Sequence, residues 1–415
     1  MGKTFFLEGH GCSLNQADTE QILGFLKDKG FRPVQKPESA EIIIINACAV
    51  KEQTENKMLA RIRNLWETAS KNNSLLIVFG CLSKINPSKI PDVSKKIIIL
   101  GPKLSELARI LKTETRNFSP EARQEKSNKF ISIIPIARGC LGNCSFCATK
   151  NARGKLKSYS IESIVKKISS EKKPCEIWLT AQDTACYGID IGTTLPGLLK
   201  EILKIENDFR IRIGMMNPKH AQKIMKEYLP LFKDKRLYRF FHLPLQSGSD
   251  KILKKMNRPY SSKDFVCLVK KIKYALPDAA ISTDVIAGFP GETEADFEKT
   301  LGIIRKTRPD IINISRFGPR PNTGAEKMPG QLHGREKKKR SRILTELQKK
   351  IALKNKQRLL GTEQEIFVAE KGKNNSFVGR NPAYVPVVIK DSSFGAFERV
   401  KIVKAFFGYV FGEKQ

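Results

Sequence analysis

Three cysteines crowd into one short segment, ARGCLGNCSFCATK, where Cys140, Cys144 and Cys147 are spaced C-x3-C-x2-C. Three thiolates in one loop can hold three irons of a 4Fe–4S cube, which leaves the fourth iron without a protein ligand. An open iron can chelate a small molecule, and the amino and carboxylate groups of S-adenosylmethionine suit it. Electron transfer from the cluster then cleaves the sulfonium to a 5′-deoxyadenosyl radical. A structural zinc knuckle is the competing reading, but structural zinc takes four ligands. No fourth Cys or His lies nearby, His10 and His242 being remote in sequence. Phe146, inside the loop, is placed either to pack on an adenine or to close the loop.

A second set of thiols is spread over nearly seventy residues. Apolar runs at residues 4–7, 42–45 and 75–79 lead to Cys12, Cys48 and Cys81, and a fourth run follows at 97–100. Helical patterns at residues 15–29 and 51–69 alternate with these runs, which predicts a parallel α/β sheet. Each of the three cysteines then falls just past the carboxyl end of a strand. In open α/β sheets those loops share one edge, where ligands bind. The other reading is three unrelated buried thiols, since cysteine is a common small core residue. Cys175, Cys186 and Cys267 match no ligand pattern and read as ordinary thiols.

The elements that must position these residues fill a chain of 415 residues, too long for one compact domain. Seventy-five Lys and Arg against forty-two Asp and Glu leave a net charge of +33, which attracts a polyanion. The longest aliphatic runs fall far short of the roughly 20 residues needed to cross a bilayer. The opening MGKTFFLEGHGC has no apolar signal core. The expectation is a cytoplasmic chain with no membrane association, in which nine cysteines are metal ligands, nucleophiles or core thiols rather than disulfides.

Residues 1–111 read as an N-terminal α/β domain, and residues 112–129, almost without apolar side chains, as a linker. From residue 130 six strand candidates follow, at 130–136, 175–180, 209–214, 238–243, 280–287 and 310–316, most separated by helical patterns. Six βα units make a partial barrel or a large doubly wound sheet. This second domain is placed at 130–345, and the remainder, 346–415, as a connecting helix and a small β-barrel. Residues 331–360 hold eleven Lys or Arg and two Glu, with Ile343, Leu344, Leu347 and Ile351 at helical spacing. Short β-rich runs at 365–369, 385–389 and 400–403 predict the terminal barrel. The basic helix and that barrel, read as basic, are the parts expected to grip a nucleic-acid backbone through counterion release.

CLGNCSFC on the first strand of a six-unit α/β domain resembles the radical S-adenosylmethionine enzymes. The segments HGCSLNQADTE, INACAVKEQTENK and GCLSKINP resemble one branch of them, the methylthiotransferases. So do ARGKLKSYS, WLTAQDTACYG, LPLQSGSDKILKKMNR and STDVIAGFPGET, and FVGRNPAYVPVVI resembles the core of a TRAM domain. The likeness runs over essentially the whole chain in the family's order. It implies an N-terminal parallel α/β domain, a partial (β/α)6 radical-SAM barrel and a small TRAM-like β-barrel.

The resemblance gives Cys12, Cys48 and Cys81 a second 4Fe–4S cluster, where sulfur is bound, methylated and delivered. It gives Gln182, Asp183 and Asp284 contacts to the methionine or ribose of S-adenosylmethionine, although strand-end turns use the same residue types. It implies tRNA as substrate, at the modified adenosine beside the anticodon in the anticodon stem-loop. The adenine C2–H is replaced by a methylthio group, with an electron donor and a sulfur donor that the sequence does not identify. C2–H is unactivated, so the cofactor carries that step. The reading HGCSLN at the first cysteine points to the archaeal–eukaryotic subgroup acting on threonylcarbamoyl-adenosine. Isopentenyl-adenosine in tRNA and a ribosomal-protein aspartate are the alternative substrates, and a non-catalytic RNA-binding metalloprotein is the alternative class.

Overall fold

Ile42–Ala47 is buried at all six positions, because the sheet it belongs to is covered on both faces. Its isoleucines alternate between them: Ile42 and Ile44 meet Phe25, Leu26 and Leu107 on one side, while Ile43 and Ile45 meet Ile62 and Leu65 on the other. The five parallel strands run in the order Arg32–Pro33, Thr4–Gly9, Ile42–Ala47, Leu75–Gly80, Ile97–Leu100. The computed structural model describes residues 3–90, 97–114, 117–171 and 175–415. The two-residue edge strand Arg32–Pro33 was not expected: it is exposed, carries a proline and shows no apolar alternation.

Six further parallel strands form two three-stranded halves, Ile131–Pro135 with Cys175–Thr180 and Phe209–Ile213, then Phe240–His242 with Ala280–Ala287 and Ile311–Arg316. The halves join through the Ile211–Leu237 bridge and the bond from Met216 N to His242 O at 2.9 Å. Strands follow in sequence order, and among the described residues the first does not pair with the last, so this is the partial barrel rather than a doubly wound sheet. Helix Ser13–Asp28 of the first sheet packs at one open edge, through Ala17 against Ile131 and Ile133. Helix Gly334–Gln357 packs at the other, against Ile311–Arg316, with Leu344 fully buried.

The described residues of 112–129 contain no helix or strand but are stapled down by side-chain bonds. Arg123 pairs with Asp28 at 2.8 Å, Glu125 with Lys27 at 2.9 Å, and Glu20 accepts from Ser127. Thr115 and Arg116 of that stretch lie outside the described residues. The C-terminal barrel is closed by five strands, two of which, Phe377–Arg380 and Val410–Lys414, had too little apolar alternation to be read. No helix among the described residues is long and apolar enough to cross a membrane.

This small barrel docks against the amino-terminal ends of the six strands, the edge opposite the cysteine loops. Arg239 N donates to Pro382 O at 2.7 Å and Arg210 pairs with Glu365 at 2.5 Å. At the centre Glu176, with no exposed surface, accepts from Tyr238 at 3.0 Å, from Tyr384 of the small barrel at 2.9 Å, and from the Trp178 indole. Burial pushes the Glu176 carboxyl up, and the three donors and the charge of Arg380 oppose it. Removing the acceptor leaves those donors buried without a partner. Glu176→Ala is therefore expected to lower stability by about 3 kcal/mol, read as an earlier urea transition. An unchanged transition would show that the two barrels are held together elsewhere.

Candidate active site

The loops that carry Cys12, Cys48 and Cys81 leave three adjacent strands of the first sheet, so the topology gathers them at one carboxyl edge. Cys12 and Cys48 face each other across the point where strand order reverses, the position at which open α/β sheets bind ligands. Their thiols share a hydrogen bond that pulls Cys12 down and pushes Cys48 up. Local backbone makes the approach feasible. Gly11 has φ +137°, and a Cβ there would lie 2.4 Å from the Cys48 Cβ. Cys81 opens the short helix Cys81–Ile85 after Gly80, and burial pushes its thiol up.

Cys140, Cys144 and Cys147 lie together in the loop after Ala137–Arg138, at the mouth of the partial barrel. Burial pushes Cys140 up to about 11, although the Gly142 amide donates to its sulfur at 3.2 Å. Burial also raises Cys147. A clamp holds this loop from the far side of the mouth: Ser145 N donates to Met256 O at 3.1 Å, Ser145 Oγ to Lys255 O at 2.8 Å, and Asn257 Nδ2 to Asn143 O at 2.7 Å. From the same turn Arg258 donates to the Cys144 sulfur at 3.1 Å and to the Tyr260 hydroxyl at 3.0 Å.

One side chain joins the two cysteine sets. Arg153 ends the helix Thr149–Arg153 that follows Cys147, and it reaches into the first unit. Its Nε donates to the Cys81 sulfur at 3.2 Å, one Nη to Asp18 at 2.5 Å and the other to Asn15 at 3.3 Å. Asp18, with no exposed surface, also takes Arg138. Ser13 and Thr180 share a hydrogen bond at 2.9 Å across the same seam. The two carboxyl edges therefore face one another.

The other expected contacts fare differently. Phe146 stands edge-on to Phe289, with ring centroids 6.4 Å apart, in an apolar cluster beside the mouth. Gln182 is half-buried, and its Oε1, like that of Gln246 on the opposite half, is a buried acceptor without a partner among the described residues. Asp183 is already occupied: it accepts from Ala185 N at 3.1 Å, Asn217 N at 3.0 Å and His220 at 2.7 Å, with Cys186 Sγ at 3.1 Å. It braces the strand end. Asp284 faces the barrel interior, 3.0 Å from His242 and 2.9 Å from the Asn313 amide. Burial pushes its carboxyl up, but the hydrogen bond and charge of His242 outweigh that and hold it below the usual range. Cys175 is a core residue and Cys267 is exposed.

The residues fit the groups that the cysteine loop and the family resemblance imply. Two sets of three thiols would each leave one iron of a cube free, and Arg153 and Arg258 offer hydrogen bonds to sulfur. The unpartnered oxygens of Gln182 and Gln246 offer acceptors for amino or hydroxyl groups. Sequence reasoning missed Asp18, Arg138, Arg153, His242 and Arg258 as parts of this site. Arg153 lies within ARGKLKSYS and Arg258 ends LPLQSGSDKILKKMNR, so both were in segments already singled out.

Three family descriptions match the chain in order: Uncharacterized protein family UPF0004 over residues 4–101, the Radical SAM superfamily over 134–304 and the TRAM domain over 357–414. A probable threonylcarbamoyladenosine tRNA methylthiotransferase of Pyrococcus horikoshii is 37% identical, with 98% of each chain covered. The human threonylcarbamoyladenosine tRNA methylthiotransferase is 32% identical over 91% of this chain and 68% of its own length. Among solved structures, the radical S-adenosylmethionine methyltransferase TsrM from Kitasatospora setae matches with a TM-score of 0.55 at 14% identity, covering 79% of this chain and 77% of TsrM. That last likeness is one of fold. The level and span of identity to curated relatives place the chain in the threonylcarbamoyladenosine tRNA methylthiotransferase family, with a radical SAM domain at its centre.

Proposed function

We propose that the protein is a tRNA methylthiotransferase that replaces the C2 hydrogen of N6-threonylcarbamoyladenosine, beside the anticodon, with a methylthio group. The observation that carries this reading is the facing of two cysteine sets across Arg153. Cys140, Cys144 and Cys147 hold the cluster that binds S-adenosylmethionine, and Cys12, Cys48 and Cys81 hold a second. When bound, these groups supply a 5′-deoxyadenosyl radical and a methylated sulfur. Every other task falls to side chains.

Arg258 and the Gly142 amide donate to the sulfurs of the first cysteine set, and Arg153 donates to Cys81 of the second. Such hydrogen bonds stabilise thiolate ligands and tune a cluster's potential. Gln182 and Gln246 present free acceptors to the cofactor. Asp183 serves by holding the strand end rather than by touching the ligand. Phe146 and Phe289 shield the mouth from water. Two half-buried faces meeting at a seam are also what an extruded base needs, since a base must leave its stack to be reached.

The positive charge is distributed differently from the expectation of a basic terminal barrel. Residues 361–415 carry eight Lys and Arg against six Asp and Glu, so the small barrel is nearly balanced in charge. The basic element is the helix Gly334–Gln357. It runs from the mouth, where Arg340 pairs with Glu292 at 2.7 Å, to the opposite edge, where Asn355 bonds Arg308 O and Asp310 at 3.0 Å. Arg335, Lys339, Arg342, Lys350 and Lys354 are exposed along it at helical spacing. At 1.5 Å per residue the helix spans about 36 Å, enough to lead a stem from the small barrel to the cysteine loops. The domain division 1–111, 112–129, 130–345 and 346–415, a cytoplasmic setting, and a separate electron donor and sulfur donor belong to the same proposal.

Cys144→Ala should abolish cleavage of S-adenosylmethionine, whereas Cys48→Ala should keep cleavage and lose methylthio product, read as nucleosides from digested tRNA. Full thiolation by Cys48→Ala would remove the second cluster from the mechanism. Replacing Arg342, Lys350 and Lys354 together by Gln should weaken tRNA binding and lower the salt slope by about three. An unaltered slope would move the grip off this helix.

A further inference from the structure

A small hollow of about 210 Å³ opens where three parts of the chain meet. The start of helix Glu52–Lys71 contributes Lys51 and Gln53, the end of strand Ile311–Arg316 contributes Ser315 and Arg316, and helix Gly334–Gln357 contributes Ser341 and Thr345. Lys51 stands three residues past Cys48, at the carboxyl edge of the first sheet, and Arg316 ends its strand at the carboxyl edge of the partial barrel. The hollow therefore adjoins both the second cysteine set and the mouth.

Its chemistry is lopsided. Most cations in this chain that border a site are paired, as Arg153, Arg258, Arg320 and Arg340 are. The side chains of Lys51 and Arg316 make neither a hydrogen bond nor an ion pair among the described residues. Glu52 is the one acid on the wall, and it turns toward Gly318, where an added Cβ would lie 2.6 Å from its carboxylate oxygen. Ser341 and Thr345 donate their hydroxyl protons to helix carbonyls at 2.9 and 2.8 Å, which leaves their oxygens as acceptors. Two free cations beside hydroxyls and an amide suit a small group bearing a carboxylate, a hydroxyl and N–H donors.

The threonylcarbamoyl group is such a group, and its place on the base matches. In adenine C2 and N6 flank N1 on one edge of the ring. A base whose C2 meets the cysteine loops must lay its N6 substituent beside them, not across the molecule. We propose that Lys51 and Arg316 bind the carboxylate of the threonylcarbamoyl tail and so select this adenosine over ones with apolar or no N6 substituents. The proposal rests on the methylthiotransferase reading above. A site built to bind a charged group rejects an analogue lacking it, because its cations are then left unmatched.

The test uses the anaerobically reconstituted full-length enzyme with two tRNAs. One carries threonylcarbamoyl-adenosine, and the other the same nucleoside with its carboxylate converted to a methylamide. Wild-type kcat/KM should favour the carboxylate by roughly 10- to 100-fold, and the ratio should fall toward one in Lys51→Met/Arg316→Met. Arg316→Lys, which keeps the charge, should retain part of the preference. Iron content equal to wild type verifies that the variants are folded. A preference retained in the double variant, or a wild type that does not distinguish the two tRNAs, overturns the carboxylate assignment while leaving the enzyme a methylthiotransferase. A wild type inactive on both tRNAs overturns the substrate reading and this pocket with it.

Discussion

The site depends on one buried carboxylate. Asp18, on the first helix of the N-terminal sheet, is wholly enclosed and binds the guanidinium groups of Arg138 and Arg153 from the second unit. Phe118 lies under Arg138 with 4.1 Å from ring centroid to guanidinium carbon, and Tyr159 accepts from its Nε at 2.7 Å. Two cations on one anion leave a surplus positive charge away from water, which is costly unless something negative answers it. Cys12 and Cys81 are the nearest candidates, and Arg153 already points at Cys81. Thiolates bound to metal would complete the balance. With metal bound there, the interdomain seam and the second cysteine set would stabilise one another.

From that seam the division of labour follows. The carboxyl edges of two parallel sheets face each other, and every cysteine with a ligand pattern lies on them. The amino edge of the partial barrel carries the small barrel, held by Glu176 and its aromatic donors. One basic helix runs between the edges and borders the hollow that contains Lys51 and Arg316.

The strands were legible because their period and burial are local properties. Ile42–Ala47 reads as a buried strand from its own residues, and the positions of Cys12, Cys48 and Cys81 follow from the chain order of their strands. The cysteine loop was legible from spacing alone. Arg153, Arg258 and Asp18 were not, because a long-range ion pair leaves no periodic trace: a basic residue that ends a short helix looks like any solvated one. Asp183 kept two readings for a related reason. A strand-end carboxylate suits either a ligand or the backbone amides of its own turn, and only the fold shows Asn217 and His220 arriving to occupy it. The charge of the terminal barrel was open to counting: eight Lys and Arg against six Asp and Glu leave it nearly balanced.

The most direct measurement is iron and acid-labile sulfide in the anaerobically reconstituted protein beside a variant with Cys12, Cys48 and Cys81 all changed to Ala. The account predicts about eight irons in the wild type and about four in the variant, with S-adenosylmethionine still cleaved by the latter. About four irons in both would contradict it, since Cys12, Cys48 and Cys81 would then hold no cluster on the first sheet.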